Sequence, residues 1–107
     1  MRLADWNIEE MTGYKPISTF YTDFSIVDKF GVKAIKDTYN RCVKYWSDDY
    51  KYLTELVMVM SWKSFEHQNN LELCKLYSEL YYELDSLAYI KLKDNEEQWS
   101  YYLRTTD

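Results

Sequence analysis

The stretch that decides the fold runs from residue 32 to residue 46 and reads VKAIKDTYNRCVKYW. Its apolar residues follow one another at spacings of 3, 4, 3, 1 and 3, which is one continuous stripe on an α-helix. Lysine, arginine and asparagine fill positions between them. The stretch therefore predicts a helix over about 33–46 with one apolar face and one basic face. The stripe consists of Val32, Ile35, Tyr39, Cys42, Val43 and Trp46.

A first helix is predicted before this stretch. Ser18 or Thr19 can cap it, because a hydroxyl accepts a hydrogen bond from an unpaired amide of the first turn. Phe20, Phe24, Val27 and Phe30 follow at helical spacing. Gly31 then ends the helix, since a residue without Cβ adopts a left-handed backbone at little steric cost.

Three more helices are predicted after it. A helix over about 49–68, for which Ser47-Asp48-Asp49 offers a cap, is apolar on nearly all sides, which is typical of a central helix. A fourth helix begins at Asn69, with Glu72 as its capping-box partner. A short fifth helix follows a break at residues 91–95. The predicted core consists of Phe20, Phe24, Val27, Phe30, Ile35, Tyr39, Val43, Leu53, Leu56, Val57, Met60, Leu73, Leu76, Leu80, Leu84 and Leu87.

Composition supports an all-α fold. The 107 residues suffice for one domain, and two glycines with one proline are too few for the turns of a β-protein. We expect a bundle of four to five helices over residues 18–107, preceded by an irregular N-terminal arm over residues 1–17. No apolar run reaches the ~18 residues of a membrane span, and the N-terminus lacks a secretory pattern. Cys42 and Cys74 are isolated, so we expect reduced thiols and a cytoplasmic protein.

Charge divides the chain into two unlike halves. Residues 48–107 carry six Lys or Arg and twelve Asp or Glu, whereas residues 1–47 carry seven and six. The acidic half also holds many of the twelve tyrosines. Tyrosine suits half-exposed contact surfaces, and carboxylates steer basic partners. This half is therefore a candidate partner-binding surface, although an ordinary solvated helix face would have a similar composition. Its candidate residues are Glu72, Glu79, Tyr82, Glu83, Asp85 and Tyr89.

The basic helix has an alternative interpretation. Residues 26–32, followed by that helix, resemble the helix-turn-helix of DNA-binding proteins, with apolar residues on both sides of Gly31. Val27 stands where that motif usually has Ala. Asp37 and Asn40 stand six and nine positions after the glycine, where the motif has apolar residues. Under this hypothesis, the residues that would contact phosphates and base edges are Lys33, Lys36, Asn40, Arg41 and Lys44.

Enzyme chemistry is not indicated. His67 is the single histidine, so the sequence has neither a His/Cys metal cluster nor the pattern of a catalytic triad. A glycine-rich phosphate loop is also missing. We therefore predict no catalytic residues, no metal and no cofactor.

Two segments carry a family resemblance. Residues 11–21, MTGYKPISTFY, and residues 100–107, SYYLRTTD, resemble small accessory proteins of mobile genetic elements in low-GC Gram-positive bacteria. Such proteins include inhibitors of host defence, anti-CRISPR proteins among them. The resemblance implies a stoichiometric binder of a basic host protein or ribonucleoprotein, such as a CRISPR effector nuclease, and transfers no site residue. A structural subunit of a phage or conjugative assembly is a further hypothesis.

Overall fold

The computed structural model describes residues 18–106 as a bundle of five α-helices. Within this range the structure contains no β-strand, so the predicted all-α bundle is confirmed. The predicted arm, residues 1–17, lies outside the described residues. The helices are α1 (Ser18–Val27), α2 (Val32–Trp46), α3 (Tyr50–Glu66), α4 (Leu71–Leu92) and α5 (Glu96–Thr106).

The connection between α1 and α2 corrects one core prediction. The α-helix ends at Val27, and a single 3-10 turn spans Asp28–Phe30 before Gly31, whose φ is 93°. Phe30 is 71% exposed, so its assignment to the core was wrong. In a 3-10 turn two residues two positions apart point in different directions. Asp28 points inward to ionic partners, and Phe30 consequently points to solvent.

Helix α3 is the centre of the bundle, as its pattern predicts. It begins after Asp49, whose carboxylate accepts from the backbone N–H of Lys51 at 2.9 Å. The helix contacts α1, α2, α4 and α5. Because neighbours surround it, polar as well as apolar side chains on it are buried. The buried residues of α3 are Leu53, Thr54, Glu55, Leu56, Val57, Val59, Met60 and Lys63.

Helix α4 begins one residue later than the capping prediction. Asn70, not Asn69, is the cap, and its side chain accepts from the Leu73 N–H at 3.3 Å. Glu72 therefore lies in the first turn, where a carboxylate favours the positive end of the helix dipole, and not at the capping-box position. Helix α5 is also capped by an asparagine, because the Asn95 side chain accepts from the Gln98 N–H at 3.0 Å.

The core agrees with the sequence pattern at most positions. Val27, Val43 and Leu87 are half-buried against the core, and every other predicted core residue except Phe30 is buried. The core also contains residues that the prediction omitted, namely Cys42, Val59, Tyr77, Ala88, Leu92 and Tyr102. Cys42 on α2 and Cys74 on α4 are thiols that are not joined in a disulfide. Between residues 18 and 106, no helix has both the length and the apolarity that crossing a bilayer requires.

Candidate protein-binding surface

The solvent face of α4 carries large apolar side chains beside carboxylates. The helix has 22 residues and is therefore about 33 Å long. Its inner residues pack in the core, while Leu71, Tyr82, Tyr89 and Ile90 are 83%, 68%, 54% and 67% exposed. Apolar area of this kind on one helix is a mark of an interaction surface. We call the following residues the α4 outer face: Leu71, Glu72, Glu79, Tyr82, Tyr89 and Ile90.

Ring contacts hold the two tyrosines of the α4 outer face in place. Tyr82 packs edge-on against Tyr81, with ring centroids 5.2 Å apart. Tyr89 packs edge-on against Trp99 at 5.6 Å. Because neighbouring rings restrict both side chains, less conformational freedom would be lost when a partner binds them.

The six predicted partner-binding residues separate into two groups. Glu72 and Glu79 are exposed and have no ion pair with another described residue. Glu83 and Asp85 are exposed too, but each serves the fold. Glu83 accepts from the Tyr39 hydroxyl at 2.7 Å, and Asp85 accepts from the Tyr102 hydroxyl. Four of the six therefore lie together on the exposed α4 outer face, namely Glu72, Glu79, Tyr82 and Tyr89.

These two tyrosine hydroxyls remain donors under ordinary conditions. Burial raises the pKa of Tyr39 strongly, and its hydrogen bond to Glu83 raises it further. Burial and the Asp85 hydrogen bond raise the pKa of Tyr102 in the same way. Both hydroxyls therefore stay protonated and keep tying α2 and α5 to α4.

A shallow groove adjoins the α4 outer face. A cavity of 190 Å³ between α3 and α4 has Ser61, Ser78 and Tyr82 in its wall. A second cavity of 250 Å³ shares Ser61 with the first and reaches Trp62, which is 48% exposed. Tyr82 thus stands at the border between the outer face and a groove lined with small polar residues.

The basic residues of α2 form a second surface. We call the α2 outer face the five residues Lys33, Lys36, Asn40, Arg41 and Lys44, all of which are exposed. Asp37 lies on the same side and pairs with Lys33 at 2.8 Å. Arg41 also donates to the Thr38 hydroxyl at 3.3 Å and lines a 340 Å³ cavity between α1 and α2.

A buried ion cluster lies elsewhere, where the turn after α1 meets α3 and α4. Its centre is Lys63, whose side chain has no exposed area. The ammonium contacts Asp28 Oδ2 at 2.6 Å, Glu66 Oε2 at 2.7 Å and Ser25 Oγ at 3.0 Å. Rings cover the charge, because Lys63 Nζ lies 4.9 Å from the centre of the Tyr21 ring.

Asp28 connects this cluster to α4 and to the end of α3. Its Oδ1 accepts from the Tyr77 hydroxyl at 2.5 Å, and its Oδ2 lies 2.8 Å from Nε2 of His67. The His67 ring stacks on Tyr77 with centroids 5.7 Å apart. The lone histidine is thus a member of a structural network. We call the ion cluster the set Tyr21, Asp28, Lys63, Glu66, His67 and Tyr77.

The pKa values in the ion cluster follow from opposing causes. Burial lowers the pKa of Lys63, but hydrogen bonds and charge from Asp28 and Glu66 outweigh burial and raise it above its ordinary value. The hydrogen bond from Lys63, and then that from Tyr21, lowers the pKa of Glu66. Lys63 and Glu66 are therefore both charged at neutral pH.

The same residues have the donor types of a metal site. Ligand atoms of Asp28, Glu66 and His67 lie within 4.8 Å of one another. The ammonium of Lys63, however, is already in hydrogen-bonding contact with both carboxylates. A divalent ion could bind there only if Lys63 moved away. The arrangement fits an internal ion network better than a metal centre.

Sequence reasoning missed the ion cluster. Lys63 lies seven positions after Leu56 and three after Met60, on the inward stripe of α3. A lysine in such a stripe needs a buried partner. That signal was available in the sequence, although it does not say which carboxylate is the partner.

The chain matches no protein-family model, no curated protein and no solved structure.

Proposed function

We propose that this chain is a non-catalytic protein-binding module that docks through the α4 outer face. The observation that carries the proposal is the exposure of four large apolar side chains on one helix, beside carboxylates without ion-pair partners among residues 18–106. Tyrosines that a partner covers are frequent hot spots of protein interfaces. Carboxylates without an ion-pair partner increase the rate of association with a basic protein. The partner should therefore have an apolar groove with basic residues at its rim.

The partner class that we propose is a host-defence nuclease, in the manner of anti-CRISPR inhibitors. The resemblance of residues 11–21 and 100–107 to mobile-element accessory proteins suggests it. Nucleases bind the phosphate backbone with basic channels, and carboxylates held on a rigid helix compete with phosphates for such a channel. Inhibition would then be stoichiometric and would weaken as salt increases.

The ion cluster supports a role without catalysis. Catalytic groups must reach a substrate, whereas the Lys63 side chain is fully buried. His67 contacts Asp28 and stacks on Tyr77, so its ring is already engaged. The contacts of Lys63, Asp28 and His67 thus connect the turn after α1 to α3 and α4.

The test is titration of the full chain into purified CRISPR effector nucleases, with binding and DNA cleavage as readouts. Tyr82→Ala should weaken binding by about 30-fold if Tyr82 is a hot spot. Glu79→Lys should weaken it mainly by slowing association, and more at low than at high salt. Matched controls are Leu103→Ala and Glu97→Lys, which change exposed residues of α5.

Two outcomes would contradict the proposal. If the α4 variants and the α5 controls weaken binding equally, α4 is not the docking surface. If neither salt nor Glu79→Lys changes the affinity, the electrostatic mechanism is wrong.

A second candidate function is DNA binding, and one observation favours it. The four residues 28–31 connect α1 to α2, which is the turn length of a helix-turn-helix. All residues of the α2 outer face are exposed, as that function needs. Asp37 reduces the positive charge of this face by pairing with Lys33.

A mobility-shift assay on the DNA upstream of the protein's own gene tests this candidate. Binding should be strongest at low salt, and Arg41→Glu should weaken it. The absence of any shift at low salt would eliminate the DNA-binding hypothesis.

A further inference from the structure

Helices α2 and α4 lie side by side and point the same way. The Tyr39 hydroxyl donates to Glu83 at 2.7 Å, and Asp48, two residues after α2, pairs with Lys91 at 2.5 Å. Moving along α2 therefore means moving along α4 in the same direction. Both helices pack their inner faces on α3. Their outer faces consequently form two parallel stripes on one side of the molecule.

The two stripes have opposite charge where they run side by side. The α2 outer face contributes Lys36 and Lys44, both exposed and without a carboxylate partner in the described chain. The central part of the α4 outer face contributes Glu79 and two exposed tyrosines. Lys75 lies one turn before Glu79 on α4, so the charge complementarity is between Lys36 of one stripe and Glu79 of the other.

We propose that this side of the molecule binds a second copy of the same chain. A two-fold axis that runs between α2 and α4, parallel to both, places the α2 outer face of each copy on the α4 outer face of the other. Both contacts then form at once, and the dimer is closed. An axis perpendicular to the helices would instead place like charges opposite each other.

The hydrogen bond between Tyr39 and Glu83 shows which residues of α2 and α4 lie at the same position along the common helix direction. Lys36 lies three residues before Tyr39, and Glu79 lies four residues before Glu83, so the two are level along the helix direction. A two-fold axis along the helices conserves this height. Lys36 of each copy therefore meets Glu79 of the other copy, twice in the dimer.

The size of this face predicts a weak dimer. Helix α2 has 15 residues, so the two adjoining stripes cover a side of about 22 by 20 Å. The dimer would bury about 1,000 Å² in total, which is in the range of transient complexes. Dimerisation does not depend on the proposed foreign partner, but it would cover the α4 outer face and so regulate access to it.

Sedimentation velocity of the purified full chain, over a wide concentration range and at low and high salt, tests the dimer. We expect a reversible monomer–dimer equilibrium that shifts to monomer as salt increases. Lys36→Glu and Glu79→Lys should each weaken dimerisation about tenfold or more, because each substitution puts like charges at both symmetric contacts. Lys51→Glu, on the exposed start of α3, is the matched control and should change nothing.

Mixing the two single variants gives the decisive measurement. Within a mixed dimer, the substituted position 36 of one copy meets the substituted position 79 of the other, so a carboxylate again faces an ammonium. The second contact keeps its native pair, Lys36 with Glu79. The mixture should therefore form a dimer that neither variant forms alone, and so should the double variant Lys36→Glu/Glu79→Lys. Circular dichroism of each variant verifies that the helices persist.

Several results would overturn the proposal. The protein could stay monomeric at the highest concentration and lowest salt, or the mixture could fail to restore association. If Glu79→Lys strengthens the dimer, α4 of one copy lies on α4 of the other. That result would contradict the pairing of α2 with α4. Species that grow beyond a dimer with concentration would show that the contact does not close.

Discussion

The ion cluster and the α4 outer face are built from the same residue types, yet their environments are opposite. Each has carboxylates and tyrosines. In the ion cluster every group contacts a partner, as Lys63 does with Asp28 and Glu66. On the α4 outer face, Glu79 faces water without an ion pair in the described chain. Charge with internal partners stabilises the fold, and charge without them is available to another molecule.

Removing the centre of the ion cluster should have the largest effect on stability. Lys63→Met leaves Asp28 and Glu66 close together without the ammonium between them, and one of them largely buried. We expect a loss of about 3–5 kcal/mol in the free energy of unfolding, measured by urea denaturation. Lys51→Met, at an exposed position, should cost less than about 0.5 kcal/mol. Equal losses for the two variants would mean that the cluster does not stabilise the fold.

A smaller effect should separate the two kinds of tyrosine. Tyr39→Phe removes the hydroxyl that donates to Glu83 from a residue that is 3% exposed, and should cost about 0.5–1.5 kcal/mol. Tyr82→Phe removes a hydroxyl from a residue that is 68% exposed and should be nearly neutral. Thermal melting of both variants measures the difference. A Tyr82→Phe loss as large as that of Tyr39→Phe would show that Tyr82 also serves the fold.

Acid should weaken the ion cluster through Glu66. Its pKa in the folded chain is lower than the ordinary value of 4.5, first because Lys63 donates to it and then because Tyr21 does. The folded state thus binds the Glu66 proton less tightly than the unfolded state does. The stabilisation is present above pH 4.5 and is lost as the pH falls through the folded pKa.

Urea denaturation at neutral and acidic pH measures this contribution. Glu66→Gln should lose less than about 1 kcal/mol at neutral pH, since the side chain is 39% exposed, and should depend less on acid than the parent chain. Glu97→Gln, which changes an exposed glutamate outside the ion cluster, is the control. A Glu66→Gln curve parallel to the parent curve would contradict the assignment.

The smallest stability effect is expected on the α4 outer face. Glu79→Lys changes an exposed side chain that has no ion pair with another described residue, so the free energy of unfolding should change by less than about 0.5 kcal/mol. The same substitution should reduce dimerisation and partner binding. A large loss of stability would show that Glu79 belongs to the fold, as Glu83 does.

The sequence predicted the helices well because each depends on local signals. The apolar stripe of α2 placed its start within one residue of Val32, and Asp49 supplied the cap of α3 as expected. Errors occurred where a local signal competed with a distant partner. Phe30 continues the helical spacing of α1, but the turn that Asp28 anchors directs it outward. Asn69 and Asn70 are equivalent cap candidates by type, and only the fold selects Asn70.

The sequence indicated which residue types the candidate surfaces contain, but not which of those residues contact other helices. Six residues of α4 were expected on one binding surface, where they remain a prediction, but Glu83 and Asp85 bond to tyrosines of α2 and α5. No spacing rule pairs residues 44 positions apart, such as Tyr39 and Glu83. The alternative surface on α2 is exposed as its periodicity requires.

The sequence by itself determined the fold class, the approximate helix bounds and the division of charge, because periodicity, caps and composition act over a few residues. Tertiary structure decided which charges are neutralised within the molecule. It brought Asp28 to Lys63 and placed α2 beside α4. The physical reason is that burial makes an unpaired charge costly, so distant residues must meet, and the sequence does not encode that meeting in any local pattern.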